Sequence, residues 1–342
     1  MEPIEHEAAI VRRGTRSGLY TAVAVHSTVR GPSCGGCRMW TYENPEAGLN
    51  DALRLSRAMS FKSAAAGLAL GGGKGVIMLP VGVQLTPEQR HDALLDFGET
   101  VDLLGGRYVT AEDVGTSSDD MTVIATVTKH VAGLSLEEGG SGDPSPHTAL
   151  GVVIAIRAAC ERAFGTDSLD DRTISLIGCG HVGEGIARLC AEDGAQLLLA
   201  DVNPAKESLA QELGASWVSW QEALESDVDV LAPCALGGML NADSVPRLRC
   251  RVIAGAANNQ LAEESVADLL VERGILWAPD FVANAGGIIN IAAEQGGYDY
   301  AKAQAGVTAI GDTLELIFDA ADADRVSPLT AALALARQRL TT

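Results

Sequence analysis

The stretch "ISLIGCGHVGEG", residues 174–185, decides how this chain is read. A short apolar run leads into Gly178-Cys179-Gly180-His181-Val182-Gly183, a complete G-x-G-x-x-G placed after a strand-like segment and at the opening of a helix-like one. In that setting the first glycine permits a tight turn, the second lets a pyrophosphate approach the backbone, and the third lets helix and strand pack closely. The free amides at the helix start then face the negative charge. The pattern alone is weak, but the next strand-like run, "LLLAD", ends on Asp201. That is about 20 residues on, where a carboxylate takes the adenine ribose hydroxyls. No arginine follows closely to receive a 2′-phosphate, so NAD is expected over NADP. Gly178, Gly180, His181, Val182, Gly183 and Asp201 are the expected nucleotide contacts, and a tight structural turn is the alternative.

Around this turn the chain alternates between strand and helix patterns. A helical pattern over 149–163 precedes it, and "QLLLADV", "DVDVLAP" and "RVIAGAAN" follow as apolar strands. Such alternation predicts a parallel, doubly wound sheet. Upstream, "EEGGSGDPSPHTALG" (137–151) concentrates Gly, Ser and Pro and reads as a domain boundary. Before it, residues 9–27 alternate as a hairpin turning near Gly14–Gly18, and residues 46–67 carry an apolar stripe at helical spacing. "GVIML" reads as a strand behind a glycine loop, Thr86-Pro87 as a helix start, and "RYVTAEDVG" as a strand ending in a polar turn.

The bulk composition agrees with a two-domain α/β protein. The chain has 342 residues, 47% of them apolar and 4% aromatic, with 38 glycines. A formal charge of −20 argues against nucleic acid as a partner, since phosphate neutralisation needs a basic face. No stretch approaches the roughly 18 apolar residues of a membrane span, so no membrane partner is expected. "MEPIEHEAAI" lacks the apolar segment of a signal peptide. Seven scattered cysteines, an odd number, read as reduced thiols, which makes the cytoplasm the expected location. Cys34 and Cys37 form a lone C-x-x-C with no second pair, so no metal is expected.

"GLALGGGKGVIMLP" (67–80) sets a lysine against glycines, but it is not a P-loop. The first glycine of that motif would fall on Leu68 and its hydroxyl on Gly75. The whole chain has only five lysines, and two of them, Lys62 and Lys74, lie among small and apolar residues. A lysine in such a place loses hydration, and its pKa falls unless an anion accompanies it. Two lysines snorkelling along a surface are the alternative. Asp113, at the end of a predicted strand, is by ordinary preference a turn cap.

"GPSCGGCRMW" (31–40), "FKSAAAGLALGGGKGVI" (61–77), "GGRYVTAEDVGT" (105–116), "GCGHVG" (178–183), "APCALGG" (232–238), "IAGAANNQLA" (253–262) and "WAPDFVANAGGIIN" (277–290) together resemble the Glu/Leu/Phe/Val dehydrogenase family, nearest its leucine, valine and phenylalanine branch. The resemblance covers nearly the whole chain. It implies a substrate domain with a mixed sheet over 1–138, a Rossmann domain over 139–322 and a cleft between them, with a C-terminal helix (323–342) packing back on the first domain. It further implies a homo-oligomer, a dimer or higher.

The activity implied is NAD-dependent oxidative deamination of an L-amino acid to the 2-oxo acid, and the reverse amination with ammonia. Lys74 would then be the catalytic lysine and Asp113 the proton carrier. Lys62 would bind the substrate carboxylate, Asn259 would orient the substrate, and Gly36 would border it. Thr148, Ala235 and Asn258 would contact the nucleotide. Cys34 stands where leucine dehydrogenases have a pocket leucine, Ala111 matches that branch, and Ile288 replaces valine or leucine. An aliphatic substrate is expected, with an aromatic amino acid or a non-catalytic NAD or amino-acid sensor as alternatives.

Overall fold

The computed structural model describes residues 5–341, so the first four residues of the acidic N-terminus lie outside the described part. The chain forms two units. The first runs through Asp143 and also takes in Ile291–Tyr300 and the end of the chain from Ala336; the second comprises Pro144–Asn290 and Ala301–Leu335. The division falls at 143/144. Glu294, from the segment rejoining the first unit, accepts the amides of Gly133 (2.9 Å) and Ser141 (2.7 Å) and ties that loop back. At the other end, the stretch grouped with the first unit starts at Ala336. There Arg30 donates to the Arg339 carbonyl (2.7 Å), and Arg339 donates to that of Ala64 (3.2 Å).

In the first unit, β1 (Ala8–Arg13), β2 (Tyr20–Ser27), β3 (Ser33–Tyr42), β4 (Gly71–Pro80) and β5 (Tyr108–Glu112) form a sheet in the order β1-β2-β4-β3-β5. The β1/β2 and β2/β4 pairs are antiparallel, while β3 runs parallel to both β4 and β5. Helix α1 (Pro45–Ala65) starts on an Asn44 cap with proline next. It lays Ala52, Leu49 and Leu53 against Ala22, Ala24, Val76 and Met78. The opposite face packs on α2 (Pro87–Asp102), which Thr86 and Gln89 close with a capping box, and on α3 (Ser118–Ala125). Phe97, Tyr108, Met121 and Ile124 are fully buried there.

Gly71, Gly72 and Gly73 belong to β4 and form no loop. Tertiary crowding demands them. A Cβ on Gly72 would lie 2.1 Å from the Ser60 amide of α1, and one on Gly73 would lie 2.5 Å from the Tyr108 ring.

The second unit is built on a six-stranded, all-parallel sheet in the order β11-β10-β9-β6-β7-β8. Its strands are β6 (Thr173–Ile177), β7 (Gln196–Ala200), β8 (Ser216–Trp217), β9 (Val230–Pro233), β10 (Val252–Ile253) and β11 (Leu276–Trp277). The central strands are buried almost throughout, as their unbroken apolar runs require. Helix α4 (Ser145–Phe164) enters the unit, and α5 (His181–Glu192) follows β6. Among the described residues no helix is long and apolar enough to cross a membrane.

Candidate functional site

Strand register places the polar residues of the first unit. Residues paired across a ladder share a face, and faces alternate along each strand. Cys34 pairs with Gly72 and Val109, Gly36 with Ala111, and Arg38 with Val76, which packs toward α1. One face of the sheet therefore carries Cys34, Gly36, Arg38, Lys74 and Ala111, with Asp113 just past the end of β5. Lys74, only 5% exposed, brings Nζ to 2.8 Å from Asp113 Oδ2. The anion that a buried lysine requires is thus supplied. Gly36 makes room for it, because a Cβ there would lie 2.6 Å from the Asp113 Cβ.

Asp113 is not a cap. Its backbone closes a short turn with Thr116, whose hydroxyl also reaches the Cys37 carbonyl at 2.8 Å. The side chain points instead to two cations: Arg38 Nε donates to the same Oδ2 at 2.9 Å. Burial by itself raises the pKa of this carboxyl, but Lys74 and Arg38 outweigh it and hold it below the usual range. Arg38 in turn reaches Asp51 of α1 at 3.2 Å, and Asp51 also accepts from Tyr42 (2.8 Å) and Arg54 (2.8 Å). Sequence reasoning missed Arg38 and Asp51. "RMW" was legible as a motif, but only the β3/β5 register sets that arginine beside Asp113. Lys62 sits half-buried in the last turn of α1. Cys34 is 1% exposed, and burial pushes its thiol up to about 12. Among the described residues, no group of three or more His, Cys, Asp or Glu side chains is placed to hold a metal ion.

In the second unit the glycine turn is crowded at its first and third glycines and open at its second. Gly178 adopts φ +106°, and a Cβ on it would meet the Ala235 amide at 2.7 Å. Gly183 packs its flank at 1.9 Å, in Cβ terms, from the Gly178 carbonyl oxygen. Gly180 caps α5 and has open space on its side, and His181 and Val182 form the first turn beyond it. Asp201 follows β7 and accepts the amides of Cys179 (2.6 Å) and Asn203 (2.8 Å). The open flank at Gly180, the helix amides and this carboxylate fit a dinucleotide.

The remaining expected residues lie elsewhere in this unit. The Thr148 hydroxyl donates to the Pro144 carbonyl (2.9 Å) at the start of α4. Ile288 is buried in the helix Gly286–Ala292. Asn259 stands at φ +52°, and its carbonyl accepts the Gly238 amide at 2.7 Å. Asn258 Oδ1 accepts from Asn284, a buried residue that the sequence had not singled out (3.0 Å).

Comparison with known proteins adds the following. Residues 7–130 match the family "Glu/Leu/Phe/Val dehydrogenase, dimerisation domain", and residues 198–299 match "Glutamate/Leucine/Phenylalanine/Valine dehydrogenase". The chain is 43% identical to leucine dehydrogenase of Bacillus subtilis over 99% of its length and 93% of that protein. It is 44% identical to valine dehydrogenase of Streptomyces virginiae over 98% of its length and 94% of that protein. The crystal structure of L-tryptophan dehydrogenase from Nostoc punctiforme superposes with a TM-score of 0.85 at 39% identity, covering 99% of this chain and 96% of that one.

Proposed function

Since this chain belongs to the Glu/Leu/Phe/Val dehydrogenase family, an NAD(P)-dependent family of amino acid oxidoreductases, we propose that it deaminates an aliphatic L-amino acid with NAD and runs in reverse with ammonia. The observation that carries this reading is the Lys74–Asp113 pair, held at 2.8 Å on a nearly buried lysine. Bound NAD supplies the hydride acceptor. The chain's own residues handle water, proton and orientation. Lys74 stabilises the oxygen of the water that attacks the imine and of the carbinolamine that results. Asp113 takes one proton from that water and passes it to nitrogen, then takes the remaining hydroxyl proton as the C–N bond breaks, giving the 2-oxo acid and releasing ammonia. Lys62 holds the α-carboxylate and Asn259 orients the substrate, which presents Cα–H to the acceptor.

Gly178, Gly180, His181, Val182 and Gly183 would hold the pyrophosphate, with Ala235, Thr148 and Asn258 toward the nicotinamide. Asp201, just past β7 and bonded to the Cys179 amide of the glycine turn, would accept the ribose hydroxyls, which favours NAD. Lys206 and Arg188 are both engaged by Glu184, at 3.1 Å and 2.9 Å. Asp201→Ala is therefore expected to lower kcat/KM with NAD at least tenfold relative to NADP, the carboxylate no longer accepting the ribose hydroxyls or repelling a 2′-phosphate. An unchanged ratio of the two kcat/KM values would assign cofactor choice to another residue. We place the enzyme in the cytoplasm as a homo-oligomer, in keeping with the family's "dimerisation domain" over residues 7–130.

Leucine and valine dehydrogenases among the relatives favour an aliphatic side chain, bordered in the first unit by Cys34 and Ala111. The tryptophan dehydrogenase relative, 42% identical, and the small Cys34 favour an aromatic one as second reading. An initial-rate panel of L-leucine, L-valine, L-isoleucine, L-phenylalanine and L-tryptophan with NAD separates them. Higher kcat/KM for the aliphatic three is expected; preference for the aromatic pair reverses the assignment.

A further inference from the structure

Asp113 receives its two cations on one oxygen. Lys74 Nζ lies 2.8 Å from Oδ2, and Arg38 Nε lies 2.9 Å from the same atom, while among the described residues Oδ1 accepts no hydrogen bond. Arg38 is itself held at the other end, where Nη1 meets Asp51 Oδ2 at 3.2 Å and Tyr42 donates to that oxygen at 2.8 Å. Burial and the Asp51 carboxylate push the Tyr42 phenol up, which keeps it a donor. The guanidinium thus spans two carboxylates from separate parts of the chain, one just past β5 and one on α1. A planar fork does this where a single ammonium cannot.

We propose that Arg38 is a positioning residue for the reaction: anchored on Asp51, it pins Asp113 through Oδ2 and leaves Oδ1 as the atom that accepts and returns the proton. The proposal rests on the assignment of Asp113 as proton carrier. In this arrangement Lys74 stays free to use its remaining hydrogens on the reacting oxygen, because a second cation shares the work of holding Asp113. The charged and titratable groups acting around Asp113 are Lys74 from β4, Arg38, Cys37 and Tyr42 from β3, and Glu112 and Tyr108 from β5. Of these, Lys74 and Arg38 lower the pKa of Asp113. A base with a depressed pKa is active above it and fails as pH falls through it, so loss of Arg38 moves the acid limb upward.

The test compares Arg38→Ala and Arg38→Lys with wild type by kcat, KM and the pH profile of kcat/KM for deamination. For Arg38→Ala, kcat is expected to fall about a hundredfold, the cost of a misplaced catalytic group, with little change in the amino acid KM. Its acid limb should rise by about one pH unit, and millimolar guanidinium should restore part of the rate. Arg38→Lys keeps the charge but not the span, so its acid limb should stay near wild type while kcat falls about tenfold. An unmoved acid limb in Arg38→Ala, or a lost rate that guanidinium leaves untouched while the melting point drops, overturns the proposal. If Arg38→Ala does not fold, an Arg38→Lys enzyme with wild-type kcat overturns it equally. Asp113→Asn, assayed beside them, separates the two levels: a fully active Asp113→Asn refutes the proton-carrier assignment itself, whereas an inactive one with unaffected Arg38 variants refutes only the role of Arg38.

Discussion

Lys74→Ala is expected to lower kcat by about a hundredfold or more while NADH binding stays near wild type. The reason is that the two proposed roles fall on different units. Lys74 lies on β4 of the first, whereas the glycine turn and Asp201 lie in the second. The fold should survive the change, because Arg38 still pairs with Asp113 and no unpaired buried charge is left. Alanine also suits the strand position, where the side chain lies opposite Ala24 of β2. Steady-state rates with amino acid and NAD, set beside NADH fluorescence titration, check the outcome. A variant with near-normal kcat would remove the β4 lysine from the chemistry; one that loses NADH binding as well would show a wider collapse.

The second large effect separates two glycines of one turn. Gly183→Ala forces a Cβ to 1.9 Å from the Gly178 carbonyl oxygen, and backbone on both sides must move. Overpacking of this kind costs about 1–3 kcal/mol, so the melting temperature should drop and NAD affinity should fall with it. Gly180→Ala meets nothing within 4 Å, and its φ of −68° suits any residue. It should melt like wild type yet raise the KM for NAD more than about tenfold, since the methyl occupies the space a pyrophosphate needs for close approach. Equal melting points for the two variants, or an unchanged KM in Gly180→Ala, would contradict the reading of the turn as a phosphate cradle.

The contrast between the units shows what a sequence exposes. Ile174–Gly185 was legible because every signal is local: an apolar run, a glycine turn and a helix start sit in one dozen residues. Residues 71–73 look like a loop in the sequence because consecutive glycines normally mark turns. Their true cause is the closeness of Ser60 and Tyr108, which no local pattern contains. Asp113 looked like a cap for the same reason. Its partner Arg38 is 75 residues away, and strand register joins them. The tie that Glu294 makes to the loop before 143 is equally invisible locally, because that carboxylate comes from far downstream.

Whether Lys74 and Asp113 work as one unit is read from kcat for Lys74→Ala, Asp113→Asn and the double variant under one set of conditions. Residues that act together are strongly non-additive, so the double variant should be no more than about threefold slower than the slower single. Losses that multiply across the pair, making the double variant slower by the product of the two single effects, would show two independent contributions and contradict the account.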